Sequence, residues 1–551
     1  MARRPVILAV DDDALALDRV EDELRRRYER DYEIACEPSA EAALALMTRL
    51  DESGDRLAVV LADQWLREPH LTGETLLERA RALHPDAKRA LLIDWGAWGD
   101  AHTADAVLRA MATGIADFYV VKPWRSPDEP FHRAVTGFLH EWSRGSGPQD
   151  ITVVGQPWSA GTHEVRRLLD SNGFAHVFHA RDSGEGRALL ADVGREDATA
   201  PVVQMIDGSV LVDPSTDELA RACGIDTSVS EGSEFDVVVV GAGPAGLATA
   251  VYATSEGLST LVIEREAIGG QAGSSSLIRN YLGFARGISG ADLALQAHQQ
   301  AWTFGTRFLR MREAVELRPG NDRHLIATGD GREVAGRAVV LAMGVAYRRL
   351  GLPELDALVG AGVFYGASRL EAAALAGRDV FIVGAGNSGG QSAVHLARSA
   401  RTVTILCRGE ALELTMSQYL IDQIGATPNI EVRLRTEVVD GGGDGRLEWL
   451  AIRDNTTGAV DSTEAAGLFI LAGAQPHTDW LPGAIERNPR GYVVTGDAGA
   501  RSLETTVPGV FAVGDVRLGS PKRVAAAVGE GSVVVSQVHD YLTTSRPFVR
   551  S

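Results

Sequence analysis

Val237-Val238-Val239-Val240-Gly241-Ala242-Gly243-Pro244-Ala245-Gly246 decides the fold of the larger part of this chain. Four consecutive β-branched residues without a charge suit a central parallel strand that is buried on both faces. They run directly into a glycine turn and a helix-compatible stretch. In such a unit Gly241 permits the tight turn, Gly243 lets the backbone approach a pyrophosphate, and Gly246 lets helix and strand pack closely. The helix N-terminus adds unpaired N–H groups for the anion. A second apolar strand, Leu261-Val262-Ile263, ends in Glu264, an acceptor for a ribose diol. The unit recurs as Val380-Phe381-Ile382-Val383 followed by Gly384-Ala385-Gly386-Asn387-Ser388-Gly389. Here the second strand, Val403-Thr404-Ile405-Leu406, ends in Cys407-Arg408 instead of an acid. An arginine pairs with a 2′-phosphate where a carboxylate repels it, which favours NADPH, with NADH as the alternative donor. The competing reading of Arg408 is a solvated surface arginine.

The rest of the composition fits several α/β domains. A chain of 551 residues predicts about three to five domains. Lys+Arg total 54 against 74 Asp+Glu, a net charge of −20, which disfavours nucleic acid or an anionic membrane as a general partner. The cysteines Cys36, Cys223 and Cys407 are odd in number and far apart, so they write neither a disulfide framework nor a zinc site. A reducing cytoplasm is the expected location, because the short apolar run after Met1 does not read as a signal peptide and no apolar stretch approaches membrane length. Two polar, glycine-bearing stretches, 143–150 and 226–234, read as linkers. The segments between them each open with a β-branched run, at Val6–Val10, Ile151–Val154 and Val237–Val240, which points to α/β construction three times over.

On these motifs, residues 235–545 resemble the low-molecular-weight thioredoxin reductases, flavoprotein pyridine-nucleotide oxidoreductases. Gly269-Gly270-Gln271 and Asn280-Tyr281 match the family's flavin-contacting segments, and Ala342-Met343-Gly344 its return strand. Val510-Phe511-Ala512-Val513-Gly514-Asp515 matches the second FAD signature. Lys522-Arg523-Val524 stands where the family has Arg-Gln-Ala, at the start of a helix that points at the flavin. The resemblance implies an FAD domain from 235–350 and 478–545, an inserted NAD(P)H domain at 351–477, and a homodimer. One departure outweighs the matches. The family's redox Cys-x-x-Cys belongs just ahead of the second dinucleotide unit, but Gly362-Val363-Phe364-Tyr365-Gly366-Ala367-Ser368-Arg369-Leu370-Glu371 has no cysteine, and Ser368 is no thiolate nucleophile at neutral pH. Glu371 is the nearest match to the acid that follows the dithiol, although without the dithiol its role as proton donor lacks support.

After the strand at Ile151–Val154, Trp158-Ser159-Ala160-Gly161-Thr162 opens a helix with the spacing of a Trp-Cys-x-x-Cys redox turn but Ser and Thr at the reactive positions, and on this residues 151–225 resemble a minimal glutaredoxin or thioredoxin-like domain. The resemblance implies a cis bond at Ala200–Pro201 beside that turn, and a hairpin at Gly208. A small α/β domain of other topology is the alternative. The apolar run Val6–Val10 ends in Asp11-Asp12-Asp13, Leu57–Ala62 delivers Asp63, and Phe118–Val121 ends in Lys122; in this order they make residues 1–142 resemble a response-regulator receiver of flavodoxin-like fold. Asp11 and Asp12 would hold Mg²⁺ together with Asp63, Asp63 would accept phosphate, and Lys122 would pair with it. Ile93-Asp94 departs from the usual Thr or Ser, which weakens the switch.

The fold class expected is therefore α/β multidomain: a receiver, a thioredoxin-like domain and two Rossmann-like domains. The expected function is an FAD-dependent NAD(P)H oxidoreductase whose electrons leave by an acceptor other than an internal dithiol, either a small molecule or a redox protein. A sensor histidine kinase is the expected partner of the receiver. Phe548 is a candidate for an aromatic stacked on the flavin. The competing reading is a redox- or phospho-sensing signalling protein with little turnover.

Overall fold

The structure is a computed structural model that describes residues 4–66, 72–143, 151–225, 229–230, 232–275, 277–365, 369–496 and 502–544. Ser368 and Phe548 lie outside the described residues. The chain divides into two compact units, residues 1–148 and, in the main, residues 149–551. No helix among the described residues is long and apolar enough to cross a membrane.

In the first unit, strands Val6–Val10, Glu33–Glu37, Leu57–Asp63, Lys88–Ile93 and Phe118–Val121 alternate with five helices. Numbered in chain order, they lie 2-1-3-4-5 across one parallel sheet. Val6–Val10 and Leu57–Asp63 are buried along their whole length, because helices cover both faces and leave no solvated side for alternation. In such a doubly wound sheet the strand order reverses beside the first strand. The crevice at the carboxyl ends of strands 1 and 3 is where a ligand fits. Asp11 and Asp63 stand at those ends. Asp13, the last of the aspartate triplet, caps the helix Ala14–Tyr28 by accepting from Leu15 and Ala16 N–H. On that helix the buried Glu23 accepts from the Asp128 N–H at 2.9 Å and from the Ser126 hydroxyl, with His132 Nε2 2.8 Å away. It thereby ties the first helix to the last, Glu129–Ser143.

In the second unit, residues 151–225 form a four-stranded sheet. Ile151–Gly155 pairs in parallel with His176–Ala180 and antiparallel with Val202–Gln204, which pairs in turn with Val210–Val212. Gly208, at φ 82°, turns the last hairpin. Ser159, at the first reactive position of the redox-like turn, is the N-cap of the helix Ala160–Ser171 and accepts from Thr162 N–H. The expected cis proline is corrected. Ser126–Pro127 is the cis bond among the described residues, so Ala200–Pro201 is trans. Trans is the default by roughly 0.5–1 kcal/mol, and in that form Pro201 already lies against the turn, with its Cδ 3.7 Å from where a Gly161 Cβ would stand.

The half expected to bind FAD is built on parallel strands Glu234–Val240, Thr260–Glu264, Arg307–Arg310 and Glu333–Leu341. Glu333–Leu341 is long enough to serve two further partners. Its start pairs with the hairpin strand His324–Thr328, and its end pairs with Val510–Ala512 from the far end of the chain. Val229, inside the stretch read as linker, is buried in this half's core. The chain leaves through Val345–Tyr347 and returns through Ala474–Pro476, two strands paired antiparallel. Between them lies a second parallel sheet in the order Val363–Phe364, Gly467–Ile470, Asp379–Val383, Thr402–Cys407, Ile430–Leu434, followed by a three-stranded antiparallel sheet over 436–464.

Candidate functional site

The glycine turn after Glu234–Val240 separates what the chain needs from what a ligand needs. At Gly241 φ is 106°, and a Cβ there would lie 2.4 Å from the Ala342 carbonyl oxygen. A Cβ on Gly246 would lie 1.9 Å from the Gly241 carbonyl oxygen. Both positions therefore exclude a side chain on the chain's own account. Gly243 differs, since its backbone is ordinary (φ −70°) and no atom lies within 4 Å of its would-be Cβ. Nothing within 4 Å of its would-be Cβ demands glycine there, and the backbone is open for an external group to approach closely. The helix Pro244–Ser255 begins at that point.

Other residues close around this cradle. Gly269 N–H donates to the Ala242 carbonyl at 2.8 Å, and a Cβ on Gly270 would approach the Gly243 Cα to 3.3 Å. Gln271, in the short helix Gly270–Gly273, and Asn280 are exposed. Glu264 ends its strand buried, accepting from Ala242 N–H at 2.7 Å and Glu266 N–H at 2.8 Å. Burial pushes its carboxyl up, opposed by those two donors. Each oxygen keeps a lone pair for a further donor.

The C-terminal signature reaches the same place. A Cβ on Gly514 would stand 2.9 Å from the Ala245 Cβ, which seats the Gly514-Asp515 turn against the first turn of Pro244–Ser255. Burial raises the Asp515 carboxyl and the neighbouring Lys522 opposes it. Lys522 Nζ donates to the Asp515 carbonyl at 2.6 Å and lies 4.7 Å from the Tyr492 ring centre. Arg523 is exposed, immediately ahead of the helix Val524–Thr544. The sequence reading missed Glu530 on that helix, which accepts from Gly514 N–H at 2.6 Å and pairs with Arg517. Its signal was the single charged residue within the Val524–Val535 run of small and apolar residues. Next to it, Gly531 lets this helix cross Pro244–Ser255 closely, as a Cβ would lie 2.3 Å from the Ala245 carbonyl oxygen.

The second glycine turn divides its labour in the same way. Gly384 has φ 126° with the Leu471 carbonyl oxygen 2.7 Å from its would-be Cβ, and at Gly389 the Gly384 carbonyl oxygen is 2.0 Å away. Gly386 has nothing nearer than 3.9 Å. Arg408 is exposed at the end of Thr402–Cys407, while Cys407 is buried. Glu371 is buried on the helix Arg369–Ala374 with His163 Nε2 at 3.8 Å, a neighbour the sequence did not announce.

The first unit holds a separate cluster. Lys122 Nζ lies 2.8 Å from Asp11 Oδ2 and 2.7 Å from Asp63 Oδ1. Asp11, Asp12 and Asp63 bring one oxygen each within 4.8 Å of one another, a spacing that a single hard cation can span. Burial raises Asp63, against the bond from Lys122. Asp94 points to solvent, 3.8 Å from Lys122 Nζ, and Ile93 is buried.

The pattern of the pyridine nucleotide-disulphide oxidoreductases matches residues 235–531, the stretch that carries both glycine cradles. The chain belongs to that family. Within it, the chain is 33% identical over 296 residues to the thioredoxin reductase of Mycolicibacterium smegmatis, covering 54% of this chain and 93% of that protein. It is 32% identical over 317 residues to the thioredoxin reductase of Bacillus subtilis, covering 57% and 96%. The crystal structure of T. acidophilum thioredoxin reductase superposes with a TM-score of 0.52 at 29% identity, covering 57% of this chain and 99% of that one. As a pyridine nucleotide-disulphide oxidoreductase the protein is an NAD(P)H flavoprotein oxidoreductase, and its family implies FAD and NAD(P)H as cofactors.

Proposed function

We propose that the protein oxidises NADPH and passes the electrons to an acceptor other than an internal dithiol, under the control of a phosphorylatable first unit. The observation that carries this reading is the pair of cradles whose middle glycines, Gly243 and Gly386, have no reason within the chain to be glycine. FAD, when bound, supplies the centre that takes hydride from NADPH and releases electrons to an acceptor. The chain's residues bind and orient: the 241–246 turn and Gly270 receive the pyrophosphate of FAD, Glu264 the ribose, and Asp515 the ribitol, with Gln271, Asn280, Lys522 and Arg523 around the flavin. Gly384, Gly386 and Gly389 receive NADPH, and Arg408 its 2′-phosphate. Since 360–371 contains no cysteine, the acceptor is a small molecule or a redox protein that meets the flavin directly. Residues 151–225 are a thioredoxin-like domain whose turn carries no thiol, and the working form is a cytoplasmic homodimer.

For the first unit we propose a receiver. Strand order 2-1-3-4-5 and the convergence of Lys122 on Asp11 and Asp63 support it. Asp11, Asp12 and Asp63 would hold Mg²⁺, and Asp63 would take phosphate from a sensor histidine kinase. The same geometry favours a second reading, a sensor with little turnover. Anaerobic stopped-flow reduction of the purified flavoprotein by NADPH and NADH, followed by ferricyanide and quinone acceptors, separates the two. Fast flavin bleaching with steady turnover supports the oxidoreductase. Bleaching slower than minutes leaves the sensor.

A further inference from the structure

Residues 151–225 are anchored to both dinucleotide halves, and the two anchors differ in kind. On the FAD side, Met311 leaves its own sheet and is buried in the core of 151–225, among Val165, Leu168 and Met205. It does so at φ 55°, a left-handed conformation disfavoured for any residue with a Cβ. Polar contacts surround this plug. Arg310 Nη2 donates to Asn172 Oδ1 at 2.8 Å, Asn172 Nδ2 to the Glu266 carbonyl at 3.3 Å, and Arg167 Nη1 to Glu266 Oε2 at 3.2 Å. On the NAD(P)H side, Trp158 packs against that half's own core, which includes Phe364 and Leu375. Ala160 and His163 press on Gly360 so closely that a Cβ there would lie 3.3 Å from each. The His163 ring sits 5.3 Å from that of Phe364, with Nε2 3.8 Å from Glu371.

Domains joined by a linker and a polar interface move relative to one another by default. Here each anchor packs an apolar side chain of one domain, buried Met311 or half-buried Trp158, against the core of another, surface that a swinging domain would have to expose. The redox-like turn, Trp158 to His163, is itself the contact surface.

We propose that residues 151–225 are a fixed brace that holds the FAD half and the NAD(P)H half in one relative orientation, with Met311 as one foot and the Trp158–His163 turn as the other. This explains a thioredoxin-like turn without thiols: its surface serves as a joint. The activity arm of the test rests on the oxidoreductase reading, whereas the exchange arm does not.

Hydrogen exchange with mass spectrometry on the full FAD-loaded chain, with and without NADPH, is the test. In the wild type, protection of Ala160–Ser171 and Arg369–Ala374 should stay within twofold when NADPH is added. Trp158→Ala with His163→Ala should speed exchange at least tenfold in Val363–Phe364 and Arg369–Ala374, leave Thr260–Glu264 and FAD content unchanged, and alter the flavin reduction rate at least fivefold. Met311→Gly should speed exchange tenfold in Ile151–Gly155 and Val202–Gln204. Loss of wild-type protection on NADPH addition overturns the brace, and needs no variant to fold. Exchange within twofold of wild type in the variants also overturns it, as does altered exchange with an unaltered reduction rate. Absence of any flavin reduction in the wild type removes the oxidoreductase reading and leaves the exchange data to decide the brace.

Discussion

The Glu264 carboxylate holds the N–H of Ala242 at 2.7 Å, so the acid at the end of one strand fixes the glycine turn at the end of its neighbour. The residue assigned to the ribose thus also shapes the pyrophosphate loop. Glu264→Ala leaves that buried N–H unpaired, at a cost of about 1–3 kcal/mol. Thermal unfolding should register this loss together with a fall in bound FAD of tenfold or more. Glu264→Gln keeps one acceptor oxygen for either the Ala242 N–H or the Glu266 N–H and turns an amide NH2 toward the other, so its stability should fall between those of the wild type and Glu264→Ala.

Gly243 and Gly246 should fail in different ways. A Cβ on Gly243 meets no protein atom within 4 Å, so Gly243→Val should fold with the melting temperature of the FAD-stripped wild type, yet emerge without the yellow chromophore. Gly246→Val collides with the Gly241 carbonyl and should destabilise the fold itself by about 3 kcal/mol or more, in line with overpacked cores. Circular dichroism melts beside flavin absorbance separate the outcomes, and full FAD in Gly243→Val would contradict the assignment.

Turnover should survive without thiols. Burial pushes the Cys36 thiol up to about 12 and also raises Cys223, which leaves both protonated and poor nucleophiles at neutral pH. Cys36→Ser, Cys223→Ser and Cys407→Ser combined should retain at least half of the NADPH oxidation rate. A folded, FAD-loaded triple variant without turnover would refute the direct route from flavin to acceptor.

The aspartate cluster should bind beryllofluoride with Mg²⁺, and Asp63→Asn should abolish that binding. Lys122 already bridges Asp11 and Asp63, so Lys122→Ala should weaken it at least tenfold. Fluorescence of Trp65, whose backbone N–H donates to Asp63 Oδ2 at 3.2 Å, reports the titration. No binding at saturating fluoride would remove the phosphate switch.

The first unit should lose stability in acid through Glu23. Burial raises this carboxyl, but the Asp128 N–H, the Ser126 hydroxyl and His132 outweigh it, and the net shift is downward. The unfolded chain then binds the proton more readily than the folded one. The contribution is complete above the unfolded value of about 4.3 and is lost as pH falls through the lower folded value. Protection of Ala14–Tyr28, taken relative to the intrinsic exchange rate at each pH, should fall below about pH 4.3 in the wild type, with a flatter profile in Glu23→Gln.

Both glycine cradles were legible in sequence because each is local: strand, turn and helix start fall within about ten residues, and the steric reason for the outer glycines acts over that span. The strand-end positions of Asp11, Asp63 and Lys122 were legible for the same reason, since an apolar run announces where its sheet edge lies. Glu530, His163 and Met311 were not, because each gains its meaning from a residue far away in the chain: Gly514, Glu371 and the core of 151–225. The proline bond failed differently. The resemblance placed Pro201 beside the turn, but its isomer depends on how the surroundings pack, which no local pattern encodes.

The close crossing of Gly531 over Ala245 also sets a timetable for synthesis. The helix that begins the FAD cradle leaves the ribosome long before the helix that completes it. At about 5–20 residues per second the gap is roughly 15–60 s. Throughout that interval Ala245 and Ala248 lack their covering helix, and the nascent chain presents a half-made, greasy groove to the cell. Cofactor capture should therefore await the emergence of Val524–Thr544, and truncations that remove this helix should yield a flavin-free product prone to chaperone retention.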